Sequence, residues 1–271
     1  MTFEVKQTSE GWAGVWERPK TFQSDGEKFF DVSGPVVSHE TLEVKIEGDT
    51  CELTFNEGGS PFVLHVLDAD RAELRHPAFQ SEPAILERTT GQIALGPWDP
   101  NATYRRIFAR PNNPEMAAIF EADQAARRFK AGQNVDWAAL AIADRERRHR
   151  VQQLLDSGEL RSGQDFHYAA FVFQHGDQAT DYLKAHALAV IAVARGESQA
   201  VWIAAATLDR YLQNIGQPQI YGTQFSKRGD SWTQEPYQRD VLSDALRRAS
   251  RVPDLAGQQK QLENYEQRGI R

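Results

Sequence analysis

The chain has 271 residues, 40% of them hydrophobic and 25% charged, with a formal net charge of -7 at pH 7. This is the composition of a globular protein long enough for one large domain or two ordinary ones. The acidic balance excludes a general attraction to nucleic acid or to anionic lipid, and a single cysteine, Cys51, excludes a disulfide framework and a cysteine-based zinc site.

No apolar h-region follows Met1, so no secretory signal is expected and the cytoplasm is the default setting. The first periodic segment opens at Gly11-Trp12-Ala13-Gly14-Val15-Trp16. Leu42, Val44 and Ile46 then alternate with charged residues, Gly48-Asp49 turns the chain, and Cys51, Leu53 and Phe55 alternate again. Asn56-Glu57-Gly58-Gly59 is the next turn, before an apolar run from Phe62 to Leu67. Asp68-Ala69-Asp70 precedes Ala72 to Arg75, and Ala84 to Arg88 closes the series. Period-two alternation broken by short turns predicts an antiparallel meander with Cys51 as a small buried apolar residue. A small barrel or strongly curved sheet fits this pattern, and the Gly-x-Trp opening resembles that of lipocalin-like domains.

Residues 91–113, rich in Gly, Pro and Asn, read as a linker. Beyond Asn113 the period changes to about 3.6. Helices are expected near 114–130, 136–157, 163–175, 178–195 and 198–215, with shorter ones near 238–250 and 254–267. Asp136, Asp177 and Ser198 have the chemistry of N-caps, and Gly158, Gly176, Gly196 and Gly216 that of C-terminal stops. The run Arg145-Glu146-Arg147-Arg148-His149-Arg150 reads as a solvated helix face. The apolar run Ala185 to Ala194 is too short to span a bilayer. The fold class is therefore α+β: an antiparallel sheet or small barrel over 1–90, a linker, and an all-α domain of paired antiparallel helices over 114–271.

The polar residues able to do chemistry punctuate the helical part. In Gln174-His175-Gly176-Asp177, an imidazole stands at a helix C-terminus beside a carboxylate. The negative end of the helix favours imidazolium and the carboxylate would fix the tautomer, which is what a general acid/base requires. The alternative is a helix-stop histidine followed by an N-cap aspartate. His167 precedes His175 by two helical turns, with Phe171 between them, so the three can share a face. That spacing is not a metal-binding one, and no metal is expected. Asp209-Arg210 ends an apolar helix, so at least one of the two charges must find a partner on another helix, with Asp123, Arg127, Asp144 and Arg148 as candidates. Gln219-Ile220-Tyr221-Gly222-Thr223-Gln224 offers neutral donors and acceptors for a polar ligand, or for its own backbone.

Five blocks occur in order: Asp123-Gln124 with Arg127 or Arg128, Gln174-His175-Gly176-Asp177, Asp209-Arg210, Gln219 to Gln224, and Asp240, Asp244 and Arg247-Arg248. Over about 114–271 this resembles a large uncharacterised bacterial family of helical domains. The resemblance implies that these scattered groups belong to one site, without implying a reaction.

The expectation is a cofactor-free, metal-free enzyme, a hydrolase or group-transfer enzyme on a small polar or peptide-like substrate. His175 would be its acid/base, Asp177 the orienter and Tyr221 a donor to developing charge. Arg210, Asp209, Gln224, Asp123, Gln124, His167, Gln174 and Gln219 would line the substrate site. The rival is a binding or interaction module in which these residues form a structural network or a pocket without turnover. No serine elbow, P-loop or dinucleotide-binding glycine pattern is present.

Overall fold

Alternating patterning becomes strand in the first part of the chain, and helical periodicity becomes helix in the second. The computed structural model describes residues 1–76, 82–91, 93–99, 101–129 and 134–268. The chain divides into two units, Met1–Ala109 and Arg110–Arg271.

The first unit is an antiparallel half-barrel built from two sheets. One sheet has the order β1-β2-β3-β9: Thr2–Thr8, Gly11–Ser24, Lys28–Glu40 and Tyr104–Arg105. The other, β10-β8-β7-β6-β5-β4, comprises Ile107–Phe108, Ala84–Glu87, Arg71–Arg75, Phe62–Val66, Thr50–Thr54 and Glu43–Glu47. The meander from β4 to β8 follows the alternation. Strands β9 and β10 fall where a linker was expected, because the Tyr104–Phe108 backbone pairs with β3 and β8 despite its short apolar pattern. Register shifts between Pro19 and Gln23 bend β2 against β3. Leu53, Leu64 and Cys51 form the buried centre, packed by Phe3, Val5, Val44, Phe55, Phe62, Leu74 and Leu86. Burial also raises the Cys51 thiol pKa, Glu52 adding to the effect, as fits a small apolar residue without thiolate chemistry.

The second unit is helical. Helices α1 to α5 span Pro114–Ala125, Trp137–Asp156, Gly163–Phe173, Ala179–Ala194 and Ala200–Asn214. A hairpin follows, β11 Ser226–Arg228 with β12 Ser231–Thr233, and then α6 Asp244–Ala249 and α7 Leu255–Arg268. Asn113 caps α1 through Met116 N–H, with Pro114 in the first turn, and Asp136 caps α2 through Ala139 N–H. Two other expected caps move. Gln178 rather than Asp177 caps α4, with Asp181 returning the bond, and Gln199 rather than Ser198 precedes α5 without a side-chain cap. Helix α1 ends at Ala125, before the expected boundary, while Lys130 and Pro100 lie outside the described residues.

The helical core joins Met116, Val151, Leu154, Phe166, Val172, Leu188 and Ile203 with alanines of α3, α4 and α5. Each buried Leu, Ile, Val or Phe contributes roughly 1.5–3 kcal/mol, and the alanines let these three helices approach closely. Among the described residues no helix is long and apolar enough to cross a membrane.

Candidate functional site

The sequence-predicted residues separate into two constellations within the helical unit. The first gathers around the end of α3. Gln174 is the C-cap of that helix, so His175 lies just beyond it rather than in its last turn. Two bonds pin the backbone there: Arg148 Nη1 donates to His175 O at 2.7 Å, and Tyr182 OH donates to Gly176 O at 2.7 Å. Gly176 is required for closeness, since a Cβ would stand 2.2 Å from Asp181 Cβ.

The carboxylate facing His175 is Asp123 of α1, not Asp177, which is exposed. His175 Nε2 lies 3.5 Å from Asp123 Oδ2, without the alignment of a formed hydrogen bond. His175 is among the residues that line the pocket described below. Asp123 is fully buried and held by its neighbours: Arg127 Nη1 donates to Oδ1 at 2.9 Å, and Gln124 Nε2 to Oδ2 at 2.9 Å. Arg127 Nη2 continues to Asp144 Oδ2 at 2.7 Å, and Arg147 Nη2 reaches Asp144 Oδ1 at 2.5 Å. Burial pushes the Asp144 carboxyl pKa up, but hydrogen bonds from Arg127 and Arg147 outweigh it and hold the pKa below the usual carboxylate value. Two arginines thus neutralise two buried aspartates. The basic run of α2 is not wholly solvated: Arg147 and Arg148 turn inward, at 14% and 11% side-chain exposure, to reach this cluster.

Arg210 of α5 is the charge left over. Among the described residues no acceptor pairs with its guanidinium, and its Nε is buried and unsatisfied. Burial lowers its pKa, the Tyr182 phenol opposes this, and Arg127 adds to it. Arg210, Arg127, Asp144, His175, Gln174 and Tyr182 line one pocket of about 440 Å³, with Phe129 and Trp137 also on its walls. Gln174 is itself a buried residue. The phenol at this site is therefore Tyr182, and Tyr221 is not on the wall. His167 is absent from it too, its ring 5.2 Å from that of Phe171.

The second constellation is closed upon itself. Asp209 is fully buried, and its carboxylate accepts from Ile220 N, Tyr221 N, Thr223 N and Thr223 Oγ1 at 2.8–3.0 Å. It clamps the following loop to α5 rather than meeting a charge on another helix. Gln219 donates to Gln224 O and Gln234 O and accepts from Gln224 N, while Gln224 Nε2 bonds Thr223 Oγ1 at 2.9 Å. Tyr237 OH and Gln258 Nε2 both donate to Tyr221 O. Gly222, at φ +82°, leaves no room for a Cβ, which would fall 2.2 Å from Gln258 Oε1. Arg247, also buried, holds Tyr237 OH, Leu242 O and Arg239 O. Asp209, Gln219, Tyr221 and Gln224 thus belong to loop architecture.

Sequence reasoning missed Tyr182, Arg147, Gln234, Tyr237 and Gln258. The only advance signal was Asp144 with Arg147-Arg148, whose spacing places the three on adjacent faces of α2.

The pKa of His175 falls below its ordinary 6.5. Burial lowers it most, the nearby Asp123 carboxylate raises it, and Arg127 and Arg210 lower it again. The expected helix-end preference for imidazolium is overridden by burial and by two guanidiniums, so the ring is neutral at pH 7. Because the unfolded chain protonates first, the neutral ring's stability is fully present above pH 6.5 and is lost as pH falls through the lowered folded value. Urea unfolding from about pH 8 to about pH 5 is expected to show this loss, and His175→Gln is expected to flatten it. An unchanged slope in the variant would contradict the assignment.

Comparison with family models, curated proteins and solved structures gives no match.

Proposed function

We propose that the helical unit is an enzyme acting on a small molecule that carries a carboxylate or phosphate. The observation that carries this reading is Arg210, a largely buried guanidinium with no acceptor among the described residues, in the wall of the pocket that holds His175. A retained unpaired charge costs stability, and an anionic ligand would supply its missing acceptors.

His175 supports turnover rather than binding alone. Burial lowers its pKa, the residue lines the pocket, and Nε2 lies toward Asp123, which leaves Nδ1 as the nitrogen for a substrate. In hydrolysis or group transfer, Nδ1 takes the proton from the attacking water or hydroxyl and returns it to the leaving group. The imidazolium formed between these steps is stabilised by Asp123 through Nε2–H. Arg210 holds the anionic part of the substrate, Gln174 adds a neutral donor, and Tyr182, whose proton is given to Gly176 O, fixes the loop beside them. A cytoplasmic setting and membership of the bacterial family with the same five blocks belong to this reading.

The test is a panel of carboxylate- and phosphate-bearing esters and amides, assayed with the wild type and His175→Gln. The variant is expected to lose about 10²–10⁴-fold in kcat/KM with a near-normal melting temperature at pH 8. Turnover that survives the substitution would remove His175 from the chemistry. The rival reading is a binding or interaction module whose polar residues form a structural network or a pocket without turnover, and the self-satisfied Asp209 network supports its structural-network form. It predicts ligand binding with no turnover of any panel member.

A further inference from the structure

One face of α2 carries two kinds of residue. Trp137, Ala141 and Asp144 stand at i, i+4 and i+7, so they project within roughly 60° of one another. The face changes character along its length. Trp137, at the start of the helix, is 66% exposed, whereas Asp144 is buried among the arginines. Leu140 and Ala141 lie between them on the pocket wall. The segment that follows α1 repeats the same gradient. Its Arg127 reaches the buried carboxylates, while Phe129 stays 41% exposed. The Phe129 and Trp137 rings meet with centroids 5.6 Å apart and planes at 64°.

The pocket therefore has a charged floor and an aromatic rim. Its ionic lining is Arg127 and Arg210 against Asp144, and Asp144 is already engaged by Arg127 and Arg147. Large apolar side chains exposed singly are ordinary, but a pair of exposed rings at the mouth of a pocket is a surface for apolar contact. Two rings at this angle form a corner. A third ring placed there meets the face of one and the edge of the other, the arrangement that aromatic quadrupoles prefer. About 10 Å of helix separates the Trp137 and Asp144 backbones. The volume of about 440 Å³ lies within the range of small-molecule sites. One small molecule can thus touch both rim and floor.

We propose that the substrate of the helical pocket is an aryl-bearing anion, with its ring in the Phe129–Trp137 corner and its carboxylate or phosphate at Arg210. This rests on the reading of Arg210 as the group that holds an anion. An aliphatic anion of equal charge would fill the floor and leave the rim in water.

The experiment is calorimetric titration of the full chain with 3-phenylpropanoate, 3-cyclohexylpropanoate and propanoate, and with 2-phenylethylphosphonate and ethylphosphonate. Weak members are measured by displacement of the phenyl compounds. Each phenyl compound is expected to bind at least about tenfold more tightly than its short aliphatic counterpart. It should also exceed the cyclohexyl compound by about threefold. Trp137→Ala should remove most of the phenyl advantage and leave propanoate and ethylphosphonate unchanged. Ile142→Ala, which deletes another exposed apolar side chain of α2 away from the pocket wall, should change none of the five. Arg210→Met should weaken all five. Equal affinity within a phenyl–aliphatic pair, equal affinity of phenyl and cyclohexyl compounds, or a phenyl advantage that survives Trp137→Ala overturns this inference and leaves the anion site standing. Binding of none of the five, or binding that Arg210→Met does not weaken, removes the anion site and this inference with it.

Discussion

Asp209→Ala is expected to destabilise the helical unit by about 4 kcal/mol. The carboxylate is fully buried and receives four hydrogen bonds, three from backbone N–H groups of the Ile220–Thr223 loop and one from the Thr223 hydroxyl. Alanine removes the only acceptor these donors have been given, and a buried N–H without an acceptor costs about 1–3 kcal/mol. The loop also carries the Tyr221 carbonyl, on which Tyr237 and Gln258 converge. Loss of the clamp should therefore loosen α7 as well. Asp209→Asn keeps one acceptor oxygen and should cost about half as much. Urea unfolding measures both. A loss below about 1 kcal/mol for the alanine variant would mean that the loop finds other acceptors and that Asp209 has been retained for a different task.

Arg127→Leu is expected to cost about 3–5 kcal/mol at pH 7. One guanidinium bridges two buried carboxylates, 2.9 Å from Asp123 and 2.7 Å from Asp144. Removing it leaves Asp123 with the Gln124 amide and Arg147 at 3.5 Å, and leaves Asp144 with Arg147 alone. Two buried negative charges would then share one cation. The pH dependence should change sign with the substitution. In the wild type, the lowered pKa of Asp144 contributes stability that is present above pH 3.8 and is lost as pH falls through the folded value. In Arg127→Leu, a buried carboxylate short of a partner has a raised pKa, so the deficit at neutral pH should shrink as the medium is acidified. Unfolding at pH 7 and at about pH 5 distinguishes the two signs. Equal stability of wild type and variant would show that Arg147 carries the cluster unaided.

The fold was legible wherever periodicity was strong. Alternation around Leu53 located β4 to β8, and the alanine-rich runs ending at Gly196 and Gly216 located α4 and α5. The first strand was harder to read, because only Phe3 and Val5 alternate there. Strands β9 and β10 carry two residues each and owe their form to neighbours contributed by distant segments.

The site was half legible. His175 and Arg210 stood out as polar groups interrupting apolar helices, and they do share a pocket. Their companions were misassigned for one physical reason: closeness along the chain does not set which way a side chain points. Asp177 follows the imidazole by two residues yet faces solvent, while Asp123 arrives from α1, which packs on α3. In the Tyr221 block the functional groups that matter are backbone amides and carbonyls, which a side-chain inventory cannot reveal. Tyr182 has no local mark at all, and only the carbonyl of Gly176 brings its hydroxyl to the pocket.

The most direct measurement for the helical site is Arg210→Met, followed by both melting and anion titration. Methionine preserves the length and apolar contacts of the stem while deleting an unpaired charge. The account predicts a melting temperature equal to or above that of the wild type, with affinity for inorganic phosphate or succinate lowered at least about hundredfold. A wild type that binds neither anion, together with a variant several kcal/mol less stable, would contradict it and return Arg210 to the scaffold.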